Sequence, residues 1–307
     1  MNVFIDGAAG TTGLRIHERL AARSDLTVLT LPDEMRKDPE ARADRMNRAD
    51  VVFLCLPDAA AKEAVGLVQN PNTVIIDTST AHRTADGWVY GFPELNGQRE
   101  KIRNAKRIAN PGCHASGFIA LTAPLIRAGI LSPDVFLSCF SLTGYSGGGK
   151  KMIAEYEASD RDELLAAPRQ YGLAQTHKHL PEMQVYGGLA AAPIFCPIVA
   201  PYYAGMEVTV PIDGRMLDGG ADAVRSVYRD VYGEGLIRFT ENADEGGFLS
   251  ASAFAGRDDM QVAVFGNGER VLLVSRFDNL GKGASGAAIQ NMNLVMGLPE
   301  ETGLVLG

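Results

Sequence analysis

The first eighty residues alternate short, almost uninterrupted apolar runs with stretches of helical spacing, and that rhythm limits the chain to few folds. The runs are "NVFID" (2–6), "LTVLTL" (26–31), "ADVVFLCLP" (49–57) and "TVIIDTST" (73–80). Between them lie "LRIHERLAARSD", with Leu14, Ile16 and Leu20 as its apolar positions, and "DAAAKEAVGLVQ". A strand that is apolar on both faces must be covered on both faces, and helices inserted between such strands cover a parallel sheet. The N-terminal part is therefore expected to be an α/β unit built on a Rossmann-type parallel sheet.

After about residue 113 the rhythm changes. Residues 114–128 read as a helix, with Phe118, Leu121 and Leu125 at helical spacing and Gly129 as the stop. Longer strand-like runs follow at 134–142, 206–212, 247–255, 260–266 and 270–277, and "GNGE" (266–269) carries the Asn-Gly signal of a tight hairpin. This half is predicted to be an α+β domain with a mixed or antiparallel sheet. The expected division is 1–112 for the first domain, completed by a C-terminal helix at 284–307, and 113–283 for the second.

The formal net charge of −8 argues against nucleic acid or an anionic membrane surface as the main partner, though not against a small anionic ligand. No stretch of about 18 apolar residues spans a membrane. The start "MNVFIDGAAG" lacks the basic and apolar regions of a signal peptide. Cys55, Cys113, Cys139 and Cys196 stand far apart without metal-type spacing, so free thiols and a cytoplasmic location are expected.

Gly7, Gly10, Thr11, Thr12 and Gly13 lie in "GAAGTTG", between the first strand and the first helix. Glycines there let the backbone turn tightly and approach a pyrophosphate resting on the helix N-terminus. The spacing is G-x-x-G-x-x-G rather than G-x-G-x-x-G, so position at the head of an α/β region carries the reading. Arg36 and Lys37, after the second strand, could hold a 2′-phosphate and so favour NADP; a solvated charged loop explains the same residues.

Asn110-Pro111-Gly112 is turn chemistry, and it places Cys113 at or near the first turn of the following helix. A helix N-terminus stabilises a thiolate, which is the reactive form. Cys55, Cys139 and Cys196 lie in apolar runs and read as inert. A nucleophilic thiol with a nicotinamide cofactor points to thioester formation from an activated acyl group, followed by reduction to the aldehyde. "THKHLPEM" (176–183) offers His177, His179 and Glu182 for the proton transfers, and His179 and Glu182 share a face if the segment turns helically. The H-x-H pair has no third ligand cluster, so no metal is expected. His114 neighbours the cysteine, but adjacent helical residues point apart.

"LTGYSGGGKK" (142–151) admits three readings: a hydrolase nucleophile elbow at Ser146, a phosphate-binding loop ending at Lys150 but lacking the Ser or Thr for magnesium, or a loop holding an anionic substrate group. The first two require a helix directly afterwards, which three consecutive glycines suit poorly. The third is preferred.

"GAAGTTG", "DTSTAHR", "GFPELN", "ANPGCHASG", "GYSGGGKK", "HKHLPEM" and "NLGKGASGAAIQNMN" occur in this order over nearly the whole chain. Together they resemble the N-acetyl-γ-glutamyl-phosphate reductases of arginine biosynthesis in their short, type 2 form. The resemblance implies a GAPDH-like two-domain architecture and reduction of N-acetyl-glutamyl phosphate by NADPH, with release of phosphate. Position by position, it implies Cys113 as the acylated nucleophile, His179 as acid/base with His177 and Glu182 beside it, and Arg83, Ser146, Asn110 and Lys150 at the substrate. It implies Ser79, Gly147, Asn279, Lys282 and Gly283, with the glycine turn and Arg36, at the cofactor. A homodimer or homotetramer is implied as well. Ala204 in "PYYAGM" stands where longer members tend to carry arginine. Aspartate-semialdehyde dehydrogenase and a lysine-pathway acyl-phosphate reductase share the architecture and the thiol chemistry.

Overall fold

The computed structural model describes residues 1–307, which divide into two compact units, 1–111 with 284–304 and 112–283 with 305–307.

The first unit is a six-stranded, all-parallel sheet in the order β2-β1-β3-β4-β6-β5. Its strands are β1 (Asn2–Asp6), β2 (Thr27–Leu29), β3 (Val51–Leu54), β4 (Val74–Asp77), β5 (Val89–Tyr90) and β6 (Arg107–Ala109). Helices α1 (Thr11–Ala21), α2 (Pro39–Arg48), α3 (Asp58–Leu67) and α4 (Gln98–Arg103) connect them. All four residues of β3 and of β4 are buried, because alternate side chains enter two different cores. Val3, Ile5, Phe53 and Ile76 pack with Ile16 and Leu20 of α1 and with Ile289 and Met292 of a C-terminal helix. Phe4, Val52, Leu54 and Ile75 pack on the opposite face with Met46 of α2. On α1 the buried stripe is Gly13, Ile16 and Leu20, whereas Leu14 is exposed. Strand order reverses between β1 and β3, and an open α/β sheet takes its ligands beyond the C-terminal ends of strands at such a point.

The C-terminal helix is shorter than the expected 284–307. A π-helical turn at Gly281–Ser285 leads into Gly286–Val295. Gly297, at φ +67°, then ends it with the Leu298 N–H on the Asn293 carbonyl at 2.9 Å. Residues 298–304 are held by Arg23, whose Nη1 donates to the Asn293 side chain at 2.8 Å and to the Thr302 carbonyl at 3.3 Å.

The second unit is a seven-stranded mixed sheet in the order β11-β12-β13-β10-β7-β9-β8. Its strands are β7 (Ser138–Gly144), β8 (Arg169–Gln170), β9 (Ile194–Ala200), β10 (Met206–Asp213), β11 (Ile237–Phe239), β12 (Met260–Gly266) and β13 (Arg270–Phe277). Helices α5 (Cys113–Arg127), α6 (Gly149–Glu157), α7 (Leu180–Gly187) and α8 (Gly220–Val231) complete it, and α5 packs on β10, β13, α7 and α8. The β12–β13 hairpin closes through three residues, with the Asn267 side chain accepting the Glu269 and Arg270 N–H groups at 2.9 Å each.

Residues 247–255, expected as a strand, form none: 248–250 are irregular and 251–255 are consecutive turns. Gly246, Gly247 and Gly256 all sit at positive φ, and the Ser/Ala-rich interior offers little to pack on a pleated surface. The 134–142 run becomes strand only from Ser138.

Helix α5 contains Pro124, which has no N–H to give the Ala120 carbonyl. The Tyr232 hydroxyl donates to that carbonyl at 2.8 Å, and the Tyr228 hydroxyl donates to the next one, Leu121, at 2.5 Å. Two buried phenols thus repair the proline break in the helix that begins with Cys113.

Candidate active site

Gly112 is the N-cap of α5 and Cys113 its first residue. The dipole of this helix start favours a thiolate there. All four cysteines are free of disulfides. Burial pushes the Cys139 thiol up, and desolvation pushes the Cys55 thiol up to about 12; Cys55, Cys113 and Cys196 are all half-buried.

Glu182 ties this helix start to the histidine segment. Its Oε2 accepts the Gly112 N–H at 3.1 Å, and its Oε1 lies 4.0 Å from His179 Nε2. His179 immediately precedes α7 and Glu182 is in its first turn, the shared face anticipated from their spacing. His177 Nδ1 accepts the His179 backbone N–H at 3.2 Å, and the two rings meet edge to face with centroids 4.7 Å apart. Cys113, His177, His179 and Glu182 therefore come together inside the second unit.

His114 belongs with them, against the expectation that it points away. Its Nδ1 is 2.6 Å from Ser141 Oγ and its Nε2 2.8 Å from the Tyr171 hydroxyl. Its ring centroid lies 5.8 Å from that of His177 and 5.5 Å from that of His179. Burial, with the neighbouring His177 and Lys178 charges, pushes the imidazole down to about 3, so His114 is neutral at physiological pH. Burial, and then the Cys113 sulfur, pushes the Tyr171 phenol up. Three residues with separate positions in the chain, Ser141, His114 and Tyr171, were invisible to spacing arguments.

Gly283 backs the thiol: a Cβ placed there would lie 2.9 Å from the Cys113 Cβ. Lys282 beside it is buried.

The 142–151 loop differs from its expected form in one respect and agrees in another. A helix, α6, does follow the glycines directly, entered by Gly149 at φ +74°. Ser146 nevertheless does not read as a nucleophile: it is buried, and its Oγ accepts from the Asn279 amide at 3.0 Å rather than facing a histidine. Asn279 Oδ1 in turn accepts the Gly205 N–H at 2.9 Å, so this amide clamps two loops together. Gly147 lies exposed against it, and Lys150 is exposed rather than drawn into the loop.

The remaining candidates belong to the first unit. Gly7, at φ +86°, ends β1 so close to β3 that a Cβ would lie 2.3 Å from the Cys55 carbonyl oxygen, and one on Gly13 would lie 2.5 Å from the Gly7 oxygen. The Gly10 N–H closes the turn on the Gly7 carbonyl at 2.9 Å. Thr11 Oγ1, on the first turn of α1, is buried without a hydrogen-bond partner. A backbone that close, an orphaned hydroxyl and a helix N-terminus at the switch point fit a dinucleotide pyrophosphate. Thr12 stands next on that turn, half-buried, and Arg36 lies out on a short 3₁₀ turn, paired with Asp33 at 2.6 Å.

At the end of β4 the buried Asp77 carboxylate accepts from Ser79 Oγ at 2.7 Å and meets His82 Nδ1 at 2.6 Å. His82 stacks on Trp88 with ring centroids 4.0 Å apart. Arg83 Nε donates to the Asn110 carbonyl at 3.0 Å and its Nη2 to the Thr78 carbonyl at 3.4 Å. The Asn110 side chain is engaged at both ends, donating to the Ala284 carbonyl at 3.0 Å and accepting from Asn291 at 3.2 Å. It fixes the backbone just before Cys113, which differs from the substrate contact expected of it.

Residues 2–105 match the semialdehyde dehydrogenase NAD-binding domain and residues 113–279 the semialdehyde dehydrogenase dimerisation domain. Aspartate semialdehyde dehydrogenase II from Vibrio cholerae has the same fold, with a TM-score of 0.71 at 18% identity over 96% of this chain and 98% of that one. An aspartate semialdehyde dehydrogenase from Candida albicans, solved with NADP, aligns with a TM-score of 0.68 at 15% identity over 96% of this chain and 98% of that one. Among curated sequences, N-acetyl-gamma-glutamyl-phosphate reductase from Burkholderia lata is 48% identical over 96% of both chains. N-acetyl-gamma-glutamyl-phosphate reductase 2 from Nostoc sp. is 46% identical over 98% of both. With identity at that level along nearly its whole length, the chain belongs to the N-acetyl-γ-glutamyl-phosphate reductase family.

Proposed function

We propose that the protein reduces N-acetyl-γ-glutamyl phosphate to N-acetyl-glutamate γ-semialdehyde with NADPH, releasing phosphate, in arginine biosynthesis. The observation that carries this reading is the half-buried Cys113 opening α5, with Glu182 linking its N-cap to His179. The Cys113 thiolate attacks the acyl carbon, the bond to the phosphate oxygen breaks, and phosphate leaves with the electron pair, so a thioester remains on the sulfur. NADPH, when bound at the glycine turn through Gly7, Gly10, Thr11, Thr12 and Gly13, supplies the hydride. His179 gives a proton to the oxygen of the resulting thiohemiacetal and takes it back as the carbon–sulfur bond breaks, which releases the aldehyde and restores the thiolate. Glu182 holds the His179 ring toward that task. Arg83, anchored on two carbonyls, supplies fixed positive charge for an anionic group of the substrate.

The assay is phosphate-dependent reduction of NADP⁺ with N-acetyl-glutamate semialdehyde, run beside aspartate semialdehyde. A kcat/KM higher for the N-acetylated substrate by at least about 100-fold, or about 2.7 kcal/mol, is expected, and preference for aspartate semialdehyde refutes the substrate assignment. Cys113→Ser should lose turnover by orders of magnitude while still binding NADPH.

The protein acts as a homodimer in the cytoplasm, where free thiols stay reduced. The mixed sheet supports the dimer: its face away from α5 carries Phe140, Ile194 and Leu272, each at least 40% exposed. Strand register places Phe140 beside Thr209 and Leu272 beside Pro211 on that one face. Light scattering on the full chain reads the dimer mass.

A further inference from the structure

Gln175 is the one residue other than glycine whose backbone lies in the left-handed region, at φ +56°. Glycine and asparagine take that conformation readily, and glutamine does not. A strained backbone persists where its surroundings fix it, and here they do. The Gln175 side chain closes on one residue of β9: its Oε1 accepts the Phe195 N–H at 2.9 Å, and its Nε2 donates to the Phe195 carbonyl at 2.7 Å. Its own N–H turns back to the Gly172 carbonyl at 3.0 Å.

The reason for this clamp lies in the sheet edge. Along a strand, alternate residues offer their backbone groups to the same side. On β9 those facing β8 are Val199, Pro197 and Phe195. Val199 stands opposite Arg169 of β8, and the Pro197 carbonyl accepts the Tyr171 N–H at 3.0 Å. Continuing that register would set Leu173 opposite Phe195, but the chain turns away at Gly172, at φ +66°. The Phe195 N–H and carbonyl would then be a bare edge, and the Gln175 amide stands in for the missing strand residue.

The imidazoles rest on the same phenylalanine. Its ring centroid is 5.0 Å from that of His177 and 5.2 Å from that of His114. His177, two residues after Gln175, accepts the His179 N–H on Nδ1, and its carbonyl accepts the Leu180 N–H at 3.0 Å where α7 begins. The clamp thus sets the backbone of the loop, and the ring contact its imidazoles, against one residue of β9.

We propose that Gln175 is a positioning residue: by holding the 172–179 loop on Phe195, it fixes where His177 and His179 stand in the site. This rests on those histidines serving the thiol chemistry proposed above. Gln175 is itself exposed, so truncating it opens no hole in the core, and its left-handed backbone is a strain that the clamp offsets. Glycine or asparagine at this position would give an easier backbone and a looser histidine.

The test is Gln175→Asn and Gln175→Glu in the full-length protein, assayed by phosphate-dependent reduction of NADP⁺ with N-acetyl-glutamate semialdehyde. Asparagine relieves the backbone but ends one methylene short of Phe195. Glutamate keeps the reach and sets a carboxylate oxygen against the Phe195 carbonyl. Each should lower kcat at least about tenfold, with the KM for NADP⁺ within about twofold of wild type. A purely structural role would lower the urea midpoint and leave kcat of the folded enzyme alone, so an unchanged kcat in either variant overturns the proposal. A wild type inactive on this semialdehyde would sink the substrate reading instead. The imidazole signals of His177 and His179 in nitrogen-15 NMR then decide: they should move in Gln175→Asn, and unmoved signals overturn the proposal. If neither variant folds, hydrogen exchange on the wild type takes their place. The Phe195 amide should exchange slowly, and one as labile as the amide of exposed Leu173 overturns the clamp.

Discussion

Acid should weaken this protein through one imidazole, and replacing that imidazole should remove the effect. His114 is buried among Ser141, Tyr171, His177, His179 and Phe195, and its acidity constant is pushed down to about 3. In the unfolded chain a histidine titrates near 6.5. Between those values the unfolded state takes up a proton that the folded state refuses. Proton uptake by the unfolded state favours unfolding, so this contribution to stability is fully present above about pH 6.5 and is lost as the pH falls toward 3. The loss is about 1.4 kcal/mol per pH unit, or about 2 to 3 kcal/mol between pH 6.5 and pH 4.5. His114→Gln retains a partner for Tyr171 and does not titrate. Urea unfolding followed by far-UV circular dichroism, at several pH values across this window, gives the stability of both proteins. The wild type should start out more stable, and its advantage should shrink by about 2 to 3 kcal/mol as the buffer is acidified. Every other titrating group is common to both proteins and cancels in the difference. Parallel curves would refute the buried-neutral account of His114.

Two further substitutions probe the supports of the two candidate sites. Tyr232→Phe leaves the Ala120 carbonyl without a donor and should cost about 1 to 3 kcal/mol in denaturant unfolding; in a Pro124→Ala background, where residue 124 has its own N–H for that carbonyl, less than half of the cost should remain. Thr11→Val removes a buried hydroxyl with no partner, so stability should hold or rise slightly, while NADPH affinity measured by fluorescence titration should fall about tenfold; an unchanged Kd would show that the hydroxyl does not meet the cofactor.

The parallel sheet was legible because β3 is apolar at every position and β4 at every position before its last, Asp77, and only burial on both faces explains that. Cys113 was legible because Asn-Pro-Gly is turn chemistry and a helix pattern follows it. Strand β9 was not, since Pro197 inside "IFCPIVA" removes a backbone donor and argues against a strand interior. Helix α2 was missed because Met46 is its one buried residue; Asp38, whose side chain accepts the Ala41 N–H, followed by Pro39 at the first position, is the signal that marks its start. Helix α6 forms despite three glycines because the residues after Gly149 are good helix formers. His114 shows the limit of reasoning along one helix. Successive residues do diverge there, but the partners of His114 come from β7 and from the 171–179 loop, and no local pattern announces a meeting arranged by the tertiary fold.

The C-terminal helix that supplies Ile289 and Met292 to the first sheet has a bearing on biogenesis. On the ribosome, residues 1–111 emerge with one side of their sheet covered only in part, by α1 and α4, and the rest of its cover is encoded some 170 codons downstream. At roughly 5 to 20 residues per second, that interval lasts on the order of 10 to 40 s. The nascent N-terminal half therefore waits, greasy and incomplete, while the catalytic half is being made. It is during this delay, more than in the finished enzyme, that the chain has most need of a chaperone.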